Sequence, residues 1–168
     1  MGDVALVGLI SDTHGLMRPE ALTVLRGSDL IIHAGDVGNP GIIEQLRTLA
    51  PVVAVRGNID KGAWASQLPM TEVVETRSAF IYVLHDVQQL DLDPAAADFK
   101  IVVSGHSHKP NQSERSGVMY LNPGSAGPRR FQLPITVARL NLSQLPWSVE
   151  FIDLLSGHLA RTLRMFDR

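Results

Sequence analysis

Five short stretches of this chain are apolar almost without interruption, and each ends abruptly in polar residues: 4–10, 30–34, 52–55, 80–84 and 101–104. A strand with one face in water alternates apolar and polar side chains. A strand covered on both faces is apolar along its length, as in parallel sheets. Between the first three runs lie segments of helical character. One is Pro19 to Leu25, with Pro19 suited to a first helical turn; the other is Pro40 to Leu49, with Ile42, Ile43, Leu46 and Leu49 at helical spacing. Strand, loop, helix and strand at this pitch predict an α/β fold.

The second half is richer in strands. Residues 90–97 read as loop and a short helix opened by Pro94, and Glu114 to Val118 as a hairpin centred on Ser116-Gly117. Residues 118–121 follow as a strand, and 135–142 and 149–152 as two late antiparallel strands. Residues 154–168 are expected to form a terminal helix with Leu155, Leu159, Leu163 and Phe166 on one side. No repeat and no domain boundary interrupts the chain. Residues 1–168 therefore read as one domain, with the loop at 124–134 as the only candidate linker.

Charge and composition exclude several functions. Lys and Arg number 15 against 17 Asp and Glu, so no general basic field exists to hold nucleic acid. The absence of cysteine removes disulfides, zinc fingers, iron–sulfur clusters and thiol catalysis, leaving His, Asp, Glu, Asn or backbone oxygen to bind any metal. The apolar runs are far shorter than the ~20 residues of a membrane span. The Met-Gly-Asp start lacks the features of a signal peptide, and Leu6 breaks the myristoylation pattern. A soluble, cytoplasmic protein is expected.

The polar residues that end the apolar runs are of one chemical kind. Asp12 and His14 follow the first run, Asp36 the second, Asn58 and Asp60 the third, His85 the fourth, and His106 and His108 the fifth. In an α/β sheet the carboxyl ends of neighbouring strands converge on one rim, where ligands bind. Taken singly, each residue is an ordinary turn or capping residue, and Gly35, Gly57 and Gly105 ordinary turn glycines. Together they place four of the six histidines beside carboxylates at strand ends, which turn preference does not explain. His33, inside an apolar run, is expected in the core, and His158, on the tail, in solvent. Mixed imidazole and carboxylate donors suit Mn²⁺, Fe²⁺, Zn²⁺, Ni²⁺ or Co²⁺. So many ligands suit two ions, the usual machinery for in-line displacement at phosphorus.

Ser11-Asp12-Thr13-His14-Gly15, Gly35-Asp36, Gly57-Asn58-Ile59-Asp60, His85 and Gly105-His106-Ser107-His108 stand in the order found in the calcineurin-like metallophosphoesterases. The short chain, Arg56-Gly57-Asn58-x-Asp60 and Asn122-Pro123-Gly124-Ser125 resemble the small bacterial and archaeal phosphodiesterase branch, over about residues 4–153. The resemblance implies a β-sandwich flanked by helices, in α/β/β/α layers. It implies two divalent ions, Mn²⁺ foremost, with Fe, Zn, Ni, Co and Mg as alternatives. Carried over by motif, Asp12, His14, Asp36 and His108 hold the first ion. Asp36, Asn58, His85 and His106 hold the second, with Asp36 bridging and a bridging hydroxide attacking phosphorus in line. Asp36, Asn58 and Asp60 are the candidate catalytic residues, Asp60 as a weak acid or a supporting partner.

Two residues depart from the family pattern. Ile59 replaces the histidine that many members use to protonate the leaving group, and Leu84-His85-Asp86 stands where Gly-His or His-Gly-His is usual. The expected partner is a small phosphate ester, and the tail after Ile152 leaves a homodimer open. Arg129-Arg130 is a candidate for a second phosphate, weighed against ordinary solvated arginines. The alternative is a non-enzymatic, Vps29-like scaffold for protein interaction, which broken ligand positions would favour. A metallo-β-lactamase-type hydrolase is set aside because residues 104–112 lack His-x-His-x-Asp-His.

Overall fold

The computed structural model describes residues 3–156 and, as backbone, residues 159–164. The apolar runs become the strands of two sheets. β1 (Leu6–Ile10), β2 (Leu30–His33) and β3 (Val52–Ala54) pair in parallel. β9 (Thr136–Asn141), β10 (Ser148–Asp153) and β11 (Leu159–Arg164) extend this sheet in antiparallel fashion, in the order β11-β10-β9-β1-β2-β3. The second sheet runs β4-β5-β6-β8-β7, from β4 (Thr71–Glu75), β5 (Phe80–Leu84), β6 (Phe99–Val103), β7 (Pro110–Arg115) and β8 (Val118–Pro123). Its centre, β5-β6-β8, is parallel, as full-length apolar runs require.

The sheets face each other across one core. Val7, Leu9 and Ile32 from the first sheet pack with Ile81, Val103 and Leu121 from the second. The outer face of the first sheet carries α1 (Pro19–Leu25) and α2 (Pro40–Arg47), each with proline in its first turn; Leu25, Ile42 and Leu46 seal it. These are the sandwich and the helical layer expected. The layer outside the second sheet is thinner than expected: Tyr82, Leu84 and Val102 are covered by Leu90 and Leu92 from the loop after β5, with Phe99 at the start of β6. That loop holds a three-residue 3-10 helix at Val87–Gln89 and, after Pro94, a single turn. The hairpin at Ser116-Gly117 forms with both residues at positive φ, the two-residue turn that matches strand twist.

The terminal helix expected over 154–168 is corrected at residues 159–164, which form β11. Asp153 Oδ1 accepts the Leu155 and Ser156 amides and so turns the chain back. The open edge of β10 then offers backbone partners that an isolated short helix would lack. His158 and Phe166 lie outside the described residues. β4, an edge strand with exposed positions, carried no apolar run to announce it. No described helix is long and apolar enough to cross a membrane.

Candidate metal centre

All seven residues read as metal ligands meet at the carboxyl ends of β1, β2, β3, β5 and β6. The loop after β1 brings Asp12 and His14, and the loop after β2 brings Asp36. Their backbones are stitched together: the amides of Asp12, His14 and Gly15 donate to the carbonyls of Gly35, Asp36 and Val37 at 2.8–3.0 Å. Asp12, His14, Asp36, His106 and His108 all have positive φ, a region unfavourable for residues with a Cβ. Such backbone persists only where its surroundings over-determine it, and it clusters at functional sites. Glycine is needed beside it: a Cβ on Gly57 would overlap the Asp36 backbone and carboxylate, and one on Gly105 would overlap the Ser11 hydroxyl.

Two groups of donors share Asp12 and Asp36. In the first, His108 Nε2 lies 3.3 Å and His14 Nε2 3.9 Å from Asp12 Oδ1, with the two rings 5.2 Å apart. In the second, His85 Nε2 lies 3.3 Å from Asp36 Oδ2 and 3.0 Å from Asn58 Oδ1, and His106 Nδ1 lies 3.2 Å from the same Asn58 oxygen. Asp36 Oδ2 also stands 3.6 Å from His14 Nε2, so this one oxygen faces both groups.

Hydrogen bonds from hydroxyl and amide groups orient each carboxylate by one oxygen and turn the other toward the histidines. Asp12 Oδ2 accepts from the Ser11 hydroxyl and the His106 amide, and Asp36 Oδ1 from the Ile59 amide. His85 Nδ1–H donates to the Ala34 carbonyl at 2.7 Å, turning Nε2 inward, as partners behind a metal-binding histidine do. Asp12 Oδ1 and His14 Nε2 are buried without a hydrogen-bond partner. A buried carboxylate oxygen with no donor is costly, and a cation is the group that relieves it. The residues fit divalent metal. Asp12, His14 and His108 form one compact triad, and Asp12, Asp36 and His85 another.

Burial pushes the His14 imidazole below its ordinary range, outweighing Asp36 and Asp12; the charges of Arg130 and His108 add to the fall. Burial alone would raise Asp36, but the His85 hydrogen bond, the Ile59 amide and nearby imidazoles hold it below the usual carboxylate range. Burial would lower His85, yet its bonds to Asp36 and Ala34 leave it raised.

Asp60 stands apart. Its Oδ2 accepts the amides of Val37 and Gly57, and its Oδ1 that of Gly38, so a buried carboxylate ties the Asp36 loop to the Asn58 loop. Ile59 is part-exposed beside Asp36. Asp86 caps the 3-10 helix through the Gln88 amide, and its other oxygen lies 3.8 Å from His106 Nε2, behind this candidate ligand. Arg130 is exposed in the loop after β8, whose start is fixed by Ser125 Oγ bonding to the Asp12 carbonyl.

Some supporting residues carried no separate role in the sequence. His33 is a core residue, as expected, but it also accepts the Gly35 amide at Nδ1 and meets Thr13 Oγ1 at 2.9 Å, linking the two loops. Asn122 Nδ2 holds the Gly105 carbonyl and the Ser107 hydroxyl. The Asn-Pro-Gly-Ser motif pointed to Asn122 only as part of a resemblance.

The chain has recognisable relatives. The sequence model of the calcineurin-like phosphoesterase superfamily domain matches residues 6–145. A probable metallophosphoesterase of Methanothermobacter thermautotrophicus is 35% identical over 153 residues, covering 83% of this chain and 88% of that protein. Among solved structures, YfcE, a phosphoesterase from E. coli, superposes with a TM-score of 0.74 at 20% identity, over 96% of this chain and 100% of that one. Vps29 from Entamoeba histolytica, complexed with zinc, gives 0.74 at 24% identity, over 95% and 98%.

Proposed function

The chain belongs to the calcineurin-like phosphoesterase superfamily, and we propose that it is a binuclear, metal-dependent phosphodiesterase, with Mn²⁺ as its working metal. The observation that carries the reading is Asp36, whose Oδ2 faces His14 on one side and His85 on the other. Asp12, His14, Asp36 and His108 would hold one ion, and Asp36, Asn58, His85 and His106 the other. Two such ions would supply a low-pKa water and charge neutralisation at the phosphoryl oxygens.

The chain's own residues do the positioning. The strained loops hold the ligand atoms in place before substrate arrives, which favours the transition state at little reorganisation cost. Asp60, with both oxygens occupied by amides, keeps the Asp36 and Asn58 loops in register and is a positioning residue rather than a proton donor. Ile59 supplies no proton, so esters with good leaving groups are favoured. The partner is a small phosphate ester, handled by one 1–168 domain in the cytoplasm.

The test is hydrolysis of bis(p-nitrophenyl) phosphate and p-nitrophenyl phosphate by protein stripped of metal and reloaded with Mn²⁺. Turnover of the diester that EDTA abolishes supports the reading; a faster monoester would overturn its diester preference. A Vps29-like scaffold is the second reading, favoured by the Vps29 superposition. Metal binding without turnover of either ester would select it.

A further inference from the structure

A cleft of about 350 Å³ opens beside the metal centre, bounded at one end by His106 and Ser107 and running along the β7–β8 hairpin. That volume lies within the range of small-molecule sites. Its charge is uneven. Asp86 is its only carboxylate, and it is engaged by the Gln88 amide and faces His106 at the metal end. Lys109, whose amide donates to Ser107 Oγ, stands at the metal end, and Arg115 at the other end of β7; among the described residues neither makes a salt bridge. The Arg115 guanidinium carbon lies over the Tyr120 ring, 5.0 Å from the centroid, a cation–π contact that favours this placement of the side chain.

The strand register sets the scale. Tyr120 pairs with Ser113, and two residues on, Asn122 pairs with Asn111 and holds the loop at 105–107. Two residues of strand span about 7 Å, a distance that a nucleoside bridging two phosphates covers. Asn111 and Ser113 line the intervening wall with donors and acceptors suited to sugar hydroxyls.

We propose that this cleft is a second anion subsite, in which Arg115, held on Tyr120, binds a phosphate one nucleoside away from the scissile phosphodiester, with Lys109 lining the path between them. The substrate class is then a nucleotide diester bearing a further phosphate, not a simple dialkyl phosphate. The proposal rests on the phosphodiesterase reading for its reaction but not for its binding. It places specificity in the hairpin, away from the residues that hold metal.

The test uses the Mn²⁺-loaded full chain with thymidine 5′-(p-nitrophenyl phosphate), with and without a 3′-phosphate. The leaving group is the same in both, so a difference reports the subsite. We expect kcat/KM about tenfold or more higher with the 3′-phosphate, the scale of a charge-assisted contact. In Lys109→Ala/Arg115→Ala the ratio should fall to about 1, whereas a general loss of structure would lower both substrates together. A wild-type ratio near 1, or one that survives the double substitution, overturns the subsite. Calorimetry supplies the arm without turnover: thymidine 3′,5′-bisphosphate should bind at least about tenfold tighter than thymidine 5′-monophosphate, and the double variant should erase the difference. Equal affinities overturn the subsite even if bis(p-nitrophenyl) phosphate is hydrolysed. A retained difference without any hydrolysis upholds it and overturns the phosphodiesterase reading alone.

Discussion

The two halves of the metal centre are built differently. Around Asp12, His14 and His108 the donors are sunk in the fold, and Asp12 Oδ1 and His14 Nε2 have no hydrogen-bond partner. Around Asp36, Asn58, His85 and His106 the donors already engage one another, and the His106 side chain is 47% exposed. An ion entering the first half relieves buried, unpaired atoms. One entering the second must displace hydrogen bonds that are already satisfied, and the proton that the raised His85 favours. We therefore expect the first half to hold an ion the more tightly and the second to release one the more readily, with Asp36 facing both.

The largest effect should come from removing the shared residue. Asp36→Ala takes a carboxylate from both groups, and we expect activity at saturating Mn²⁺ to fall by about 10³-fold or more, the several kcal/mol that charge stabilisation by metal supplies. Asn58→Ala removes one neutral donor from one group and should cost at least tenfold less. Equal residual rates for the two variants would show that Asp36 does not serve both halves.

Metal affinity tests the asymmetry itself. Mn²⁺ at 100 times its Kd adds about 2.7 kcal/mol to stability, which is roughly 5–10 °C in Tm for a chain of this size. Titration should raise Tm in two phases. His106→Ala should keep the first phase and lose the second, while His108→Ala should lose the first. If His106→Ala abolishes the high-affinity phase, the assignment of tight and labile halves is reversed.

What was legible in the sequence divides along the same physical line. The covered strands and the rim could be read because full-length apolar runs require burial on both faces, and because Asp, His and Asn repeat at their ends; the two-sheet sandwich came only with the family resemblance. The backbone that aims those residues could not. Asp60 looks like a turn residue, and its three amide bonds have no signature, since any residue donates a backbone N–H. The cleft was illegible for another reason: Arg115 meets Tyr120 only through the register of the β7–β8 hairpin. The tail misled because Leu155, Leu159, Leu163 and Phe166 fit a helix, whereas the free edge of β10, which no sequence period reveals, recruits residues 159–164 as a strand.

The link between the halves can be probed through pH. His33 lies fully buried between the Asp12 and Asp36 loops and is lowered from 6.5 to about 4, chiefly by burial, with His85 adding to the fall and Asp12, Asp60 and Asp36 opposing it. Because the folded value is the lower one, the native state holds His33 neutral. Its contribution is complete above pH 6.5 and is lost as pH falls toward 4. By pH 5 the loss should reach about 2 kcal/mol. His14 is also lowered and contributes with the same sign, so the assignment rests on a difference. Urea unfolding in EDTA at pH 7.5, 6 and 5 should show wild type losing about 2 kcal/mol more than His33→Gln. Parallel losses would mean that His33 does not couple the loops to protonation.

The smallest effect concerns the leaving group, on the side of the labile half. General acid catalysis contributes typically 10²–10⁴-fold, or about 3–5 kcal/mol. Ile59 cannot provide it, and Asp60 is held by three amides. Nitrophenolate departs as an anion near neutral pH, but an alkoxide needs a proton. Rates should therefore fall steeply as the leaving-group pKa rises. Position 59 is part-exposed, and its amide is fixed on Asp36 Oδ1 at 3.0 Å, so an imidazole placed there starts beside the reacting groups. Without the packing that would hold it in one rotamer, Ile59→His should recover only about tenfold on alkyl esters, the low end of general acid catalysis, and almost nothing on nitrophenyl esters. The measurement is kcat/KM across substituted aryl and alkyl phosphodiesters for both proteins. A shallow dependence in wild type would place an acid in the labile half that Ile59 and Asp60 do not supply. Ile59→His raising aryl and alkyl rates alike would point to altered metal binding rather than proton donation.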